Sequence, residues 1–244
     1  MFDRIAGVYD LLNTVMTAGL HHRWRARAAD MARVGAGSRV LDVATGTGDL
    51  AIELARRVSP AGEVVGSDFA EGMLDRARAK AAVAGRHVRP RFEWADAMDL
   101  PYPDDCFDAA TVGFGARNFD DLPRGLAEMA RVVRPGGRVV VLEITTPTRA
   151  PLSHFYALWF DRIVPALGRL AGALTSRSPG GGAGTGGTIA QAYTYLPSSV
   201  KRFPGPAALA AEMQRAGLTD ISYVITAGGI VAIHAGTVPG ERAS

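Results

Sequence analysis

A chain of 244 residues that is 48% hydrophobic is long enough for one large α/β domain with a full core. Its formal charge of +3 falls well short of the basic stripe of a dedicated nucleic-acid binder, so no nucleic-acid partner is expected. The single cysteine, Cys106, excludes an internal disulfide and a cysteine metal cluster, and no metal is expected. The first 20 residues lack a basic start followed by an apolar block, and no run reaches the ~18 apolar residues of a membrane span. The expectation is a cytoplasmic protein whose membrane contact, if any, is peripheral.

Residues 1–35 read as a helical cap, with Ile5, Val8, Leu11, Leu12, Val15 and Met16 spaced by threes and fours along one apolar face. Arg23, Arg25, Arg27, Arg33 and Arg39 crowd the approach to the first strand. They read as a solvated helix face, with a surface for anionic lipid as the alternative. Residues 38–43 form the first strand and run straight into the glycine turn Gly46-Thr47-Gly48 and a helix over 49–58. Gly46 and Gly48 let the backbone turn tightly and admit a ligand against it, and the helix beyond offers free N–H groups at its start.

A second strand is predicted over 63–67 with Asp68 at its carboxyl end, then a helix over 73–84 that stops at Gly85. A third strand covers 91–94 and precedes Asp96; a fourth covers 107–112. A helix over 122–133 is stopped by Pro135-Gly136-Gly137, and a fifth strand covers 139–144. Strands alternating with helices of this length predict a doubly wound parallel sheet, whose ligands bind at the carboxyl ends of the strands. Thr47, Asp68, Asp96 and Gly113 fall at those ends.

The remainder differs. Residues 151–174 form an apolar, aromatic-rich helical segment, and 178–187 read as a flexible glycine-rich linker. After a helix over 206–216, strands over 221–225 and 230–234 joined through Gly228-Gly229 read as an antiparallel pair that completes seven strands. The expected organisation is one domain over 1–240, with a cap at about 1–35 and an inserted segment at about 148–200.

The turn fits the dinucleotide pattern G-x-G-x-x-A, and Asp68 suits a ribose whichever cofactor is bound. Asp42, inside the strand before the turn, favours S-adenosylmethionine, which carries a sulfonium and an ammonium and no phosphate. The plainer reading of Asp42 is local backbone capping. Asp96, in Ala95-Asp96-Ala97, can accept from an adenine amino group; the plainer reading is a turn or helix cap.

Several segments resemble class I S-adenosylmethionine-dependent methyltransferases: Val40 to Asp49, Ser67-Asp68, Ala95-Asp96-Ala97 and Arg134-Pro135-Gly136-Gly137. Three narrower ones, Tyr9 to Trp24, Gly113-Phe114-Gly115-Ala116-Arg117-Asn118 and Tyr193 to Val200, resemble the signatures of the menaquinone/ubiquinone biosynthesis C-methyltransferases. Pro197 points to the branch that acts on demethylmenaquinone. The resemblance implies a class I fold, S-adenosylmethionine as cofactor and a demethylmenaquinol substrate methylated to menaquinol. It sets the cofactor against Thr47, Asp68, Asp96 and Ala97, with Asp42, Gly46, Gly48 and Gly113 around it. Many members carry a serine where this chain has Gly113.

For the chemistry, Arg117 is expected to stabilise the quinol oxyanion and Asn118 to orient it, with His21 and Tyr9 as candidates on the cap for proton removal. A structural ion pair is the alternative for Arg117, and a surface or core histidine for His21. Residues 151–174 suit an interfacial helix holding an isoprenoid tail near the membrane, or a plain cover over the site. Other phenolic acceptors, a benzoquinol of the ubiquinone pathway, and a non-catalytic cofactor-binding role in a quinone-biosynthesis assembly are the competing functions.

Overall fold

The computed structural model describes residues 19–85, 89–147, 150 and 197–240. Tyr9, the 151–174 segment, the glycine-rich 178–187 stretch and Tyr193-Thr194-Tyr195-Leu196 lie outside the described residues.

Seven strands form one sheet: β1 (Arg39–Val43), β2 (Glu63–Asp68), β3 (Arg91–Trp94), β4 (Phe107–Gly113), β5 (Val133–Ile144), β6 (Thr219–Thr226) and β7 (Val231–Thr237). Their order is β3-β2-β1-β4-β5-β7-β6. The first five run parallel, β7 is antiparallel to β5, and β6 is antiparallel to β7. Five helices are described in full: α1 (Leu20–Met31), α2 (Asp49–Val58), α3 (Glu71–Val83), α4 (Leu122–Val132) and α5 (Pro206–Arg215).

Strand alternation decides what faces each layer. Val40 on β1 packs with Leu54 and Val58 of α2 and with Trp24 and Ala28 of α1. Leu41 and Val43 point the other way, into a second core with Leu126 and Met129 of α4 and Leu209 and Met213 of α5. Both faces of the centre are therefore covered, which is why β1 and β4 read as nearly unbroken apolar runs. Asp42 and Thr111, register partners on β1 and β4, interrupt those runs on the α1–α2 side. The strand order changes direction between β1 and β4, the point where open α/β sheets hold their ligands.

Most expected elements are present with ends shifted by a few residues, and the late antiparallel pair is longer than its apolar core suggested. The largest difference is at β5. Pairing begins at Val133, opposite Phe107, and resumes at Arg138, opposite Ala109. Pro135-Gly136-Gly137 makes an excursion within that strand. Gly136 has φ +79°, and a Cβ on Gly137 would lie 2.5 Å from the Asp108 carbonyl, so only glycine permits the chain to fold back this tightly. The helix before it, α4, starts at an Asp121 cap whose carboxylate accepts from the Arg124 N–H at 3.0 Å.

Candidate active site

A cavity of about 500 Å³ opens at the carboxyl ends of β1, β2, β3 and β4, within the size range of small-molecule sites. Its floor is the turn after β1. Ala44, Gly46 and Gly48 all take positive φ, and Gly48 begins α2 in the left-handed conformation at φ +81°. A Cβ on Gly48 would sit 2.8 Å from the Phe92 ring, so β3 and the turn approach as closely as glycine allows.

The carboxylates around the turn are held by the chain itself. Asp42, buried, accepts from the Thr45 hydroxyl at 2.6 Å and the Thr111 hydroxyl at 2.7 Å. Its partners are two threonine hydroxyls, one from its own turn and one from β4, with a backbone hydrogen bond from Ala51 on α2. Burial pushes its carboxyl up to about 6, against the opposing pull of those two hydroxyls and of Arg25. Asp68 accepts from the backbone N–H of Gly46 at 2.8 Å and of Ala70 at 2.9 Å, and so ties the glycine turn to the end of β2. Asp96 accepts from the Met98 N–H at 2.9 Å, an Asx turn that fixes the Ala95-Asp96-Ala97 loop along the cavity wall. Thr47 is buried at the turn, where its hydroxyl accepts from Lys80 at 2.9 Å.

Lys80 also pairs with Asp49 at 2.7 Å, and Arg25 reaches Asp49 from α1 at 3.2 Å. Burial alone would raise Asp49, but the charges of Arg25 and Lys80 outweigh it and hold that carboxyl below its ordinary value.

The second wall follows β4. Gly113, Phe114 and Gly115 line the cavity, and Phe114 takes φ +60°, an uncommon conformation for an aromatic residue. A Cβ on Gly115 would lie 2.6 Å from the Cβ of Ala44, so the two loops touch. At Gly113 a Cβ would meet Leu50 at 3.1 Å, which is close but against a flexible side chain.

The short helical turn Ala116–Asn118 separates the two residues expected to act on the substrate. Asn118 lines the cavity, and its Oδ1 is buried with no hydrogen-bond partner among the described residues. Arg117 turns the other way. Its Nη1 donates to Glu143 at 2.8 Å and also contacts the Phe114 carbonyl, and its N–H donates to Glu143 at 3.2 Å. Both side chains of this pair are buried, at 8% and 2% exposure, and Arg117 is not among the groups lining the cavity. This is the ion-pair arrangement weighed for Arg117 from the sequence. His21 is buried on α1, in tilted contact with the His22 ring and bonded through Nδ1 to Arg25, and it too stays off the cavity wall.

The profile of the ubiE/COQ5 methyltransferase family matches residues 1–238. The chain belongs to this family. It is therefore an enzyme of the methyltransferase class. Over 239 residues it is 46% identical to a demethylmenaquinone methyltransferase of Thermus thermophilus, covering 98% of this chain and 100% of that one. It is 40% identical to the ubiquinone/menaquinone biosynthesis C-methyltransferase UbiE of Geobacter sulfurreducens, covering 97% and 86%. The fold matches a SAM dependent methyltransferase from Aquifex aeolicus with a TM-score of 0.57 at 17% identity, over 84% of each chain. The seven-stranded doubly wound sheet finished by an antiparallel pair is the class I fold expected from the sequence.

Sequence reasoning missed three parts of this site. Arg25 was counted with a solvated arginine face; Arg23 and Arg27 are indeed exposed, but Arg25 turns inward with His21, Trp24, Ala28 and Ala29. The i, i+3, i+4 spacing of those residues was the available signal. Glu143 gave no signal, because its partner lies 26 residues away on another element. Phe69 and Trp94, both exposed at the cavity rim and joined by the Trp94 indole N–H donating to the Phe69 carbonyl at 2.9 Å, were also passed over.

Proposed function

We propose that this enzyme transfers a methyl group from S-adenosylmethionine to a ring carbon of demethylmenaquinol, giving menaquinol. The observation that carries the cofactor half is the charge of the cavity wall. Asp42, Asp49, Asp68, Asp96 and Asp120 line it against one arginine. A pyrophosphate in that space would face carboxylates on several sides, whereas a cofactor with a sulfonium and an ammonium is matched by them. The acceptor half is supported by the names of the relatives above and by Pro197.

When bound, S-adenosylmethionine supplies an electrophilic methyl group on sulfur. The chain's task is alignment and stabilisation of charge on the acceptor. Thr47, Gly46 and Gly48 form the bed of the cofactor, with Asp42 toward its cationic end. Asp68 is assigned to the ribose, Asp96 and Ala97 to the adenine, and Gly113 to a backbone contact. Asn118, with a buried amide oxygen lacking a described partner, orients the quinol hydroxyl. Arg117, paired with Glu143 behind the cavity wall, holds the turn that presents Asn118. An arginine stays protonated, so the hydroxyl proton is assigned to water or to the cap candidate Tyr9, because His21 is bonded to Arg25 away from the cavity wall.

The wider organisation belongs to the same proposal: one domain over 1–240, a helical cap at about 1–35, and an inserted cap and Gly-rich segment at about 148–200. The protein acts from the cytoplasm, with 151–174 touching the membrane where the isoprenoid tail resides. No helix of the described residues is long and apolar enough to cross a membrane. Purified protein with a short-chain demethylmenaquinol and methyl-labelled S-adenosylmethionine should yield labelled menaquinol; labelling of a benzoquinol analogue instead would reassign the acceptor. Flotation with anionic liposomes tests the membrane contact, and absence of binding would remove it.

A further inference from the structure

We propose that Arg25, on the cap helix α1, binds the methionyl carboxylate of S-adenosylmethionine and so couples the cap to cofactor occupancy. This rests on the cofactor assignment above. S-adenosylmethionine is zwitterionic at its amino-acid end: the ammonium and sulfonium suit an acidic wall, but the carboxylate does not. Among the described residues lining the cavity, Arg25 is the sole cationic side chain beside five aspartates. Lys80, which meets the same Asp49, is also bonded to Thr47 and does not line the space.

The guanidinium is held from three directions. Nη1 pairs with Asp49 at 3.2 Å and contacts Nδ1 of His21, and its carbon lies 5.8 Å from the centre of the Phe114 ring. Among the described residues both polar contacts run through Nη1. A guanidinium has five N–H donors in a planar fork, so Nη2 and Nε can serve a carboxylate while Nη1 stays anchored. The rival acceptor site, the start of α2, already carries an acidic side chain in its first turn, Asp49 itself. A second carboxylate arriving there meets like charge unless Arg25 bridges the two.

Calorimetric titration of wild type, Arg25→Ala and Arg25→Lys with S-adenosylmethionine, S-adenosylhomocysteine and decarboxylated S-adenosylmethionine separates the possibilities. Removing the clamp should weaken the two carboxylate-bearing ligands by about 10- to 100-fold. The decarboxylated ligand should change by less than about twofold on the same scale, and Arg25→Lys should recover part of the loss. Equal weakening of all three ligands would reduce Arg25 to a support for the turn and overturn the proposal. So would no weakening at all. If Arg25→Ala does not fold, the wild type decides alone, because equal affinity for S-adenosylmethionine and its decarboxylated form excludes a carboxylate clamp. Failure of the wild type to bind any of the three would instead sink the cofactor assignment. Hydrogen exchange on the wild type gives a second readout, with α1 amides expected to gain protection on addition of S-adenosylhomocysteine.

Discussion

The two walls of the cavity are built on different terms. On the β1–β3 wall, Asp42, Asp68 and Asp96 are each held by hydroxyl or backbone donors of the chain, so their positions are set before any ligand arrives. On the β4 wall, Phe114 takes a left-handed conformation, Arg117 is drawn back onto Glu143, and Asn118, which lines the cavity, holds a buried amide oxygen with no described partner. A buried polar atom without a partner is costly, and its usual place is where a ligand supplies the missing contact. One wall is a preformed bed; the other keeps a polar group ready for the acceptor. A methyl donor common to many acceptors suits the first, and acceptor-specific recognition suits the second.

The comparison can be broken first at Glu143. Glu143→Ala leaves the Arg117 charge buried and uncompensated, and should cost about 3–5 kcal/mol in a denaturant titration. A loss under about 1 kcal/mol would show that this wall is not organised by the ion pair. Next, Asn118→Ala should lower kcat by about 100-fold while cofactor affinity shifts by less than about threefold. Parallel losses would mean that the two walls act as one unit.

On the preformed wall, Gly48→Ala forces an alanine into φ +81° with its Cβ 2.8 Å from Phe92. It should cost about 1–3 kcal/mol of stability and weaken the cofactor, leaving the acceptor KM in place. The smallest effect is with pH. Burial raises Asp42 to about 6, so between the ordinary carboxylate range and pH 6 the folded protein binds the extra proton. The Asp42 contribution to stability therefore declines as pH rises through that window, while binding of a cationic cofactor tightens as the carboxylate ionises. Titrations from pH 5 to 7 should show a severalfold gain in affinity, about tenfold at most, and Asp42→Asn should flatten it.

Much of this arrangement was legible in order along the chain. Strand, glycine turn and helix at 40–58, and Asp68 and Asp96 at later strand ends, are local patterns with local causes. The backbone must turn where Gly46 and Gly48 stand, and a parallel sheet brings strand ends together. Gly228-Gly229 likewise announced the antiparallel pairing of β6 with β7.

What the order of residues could not supply were contacts between distant elements. Arg25 appeared to be one of several arginines until α1 was laid over α2 and its side chain met Asp49 and the Phe114 ring. Arg117 and Asn118 are neighbours in sequence, yet the turn that carries them sends one to Glu143 and the other to the cavity. The sequence by itself determined the alternating strands and helices, the glycine bed and the acidic character of the site, because these follow from periodicity, backbone freedom and charge. Only the tertiary structure decided which charges are paired and which face the cavity, because pairing depends on distances across the sheet and between layers that no local pattern encodes.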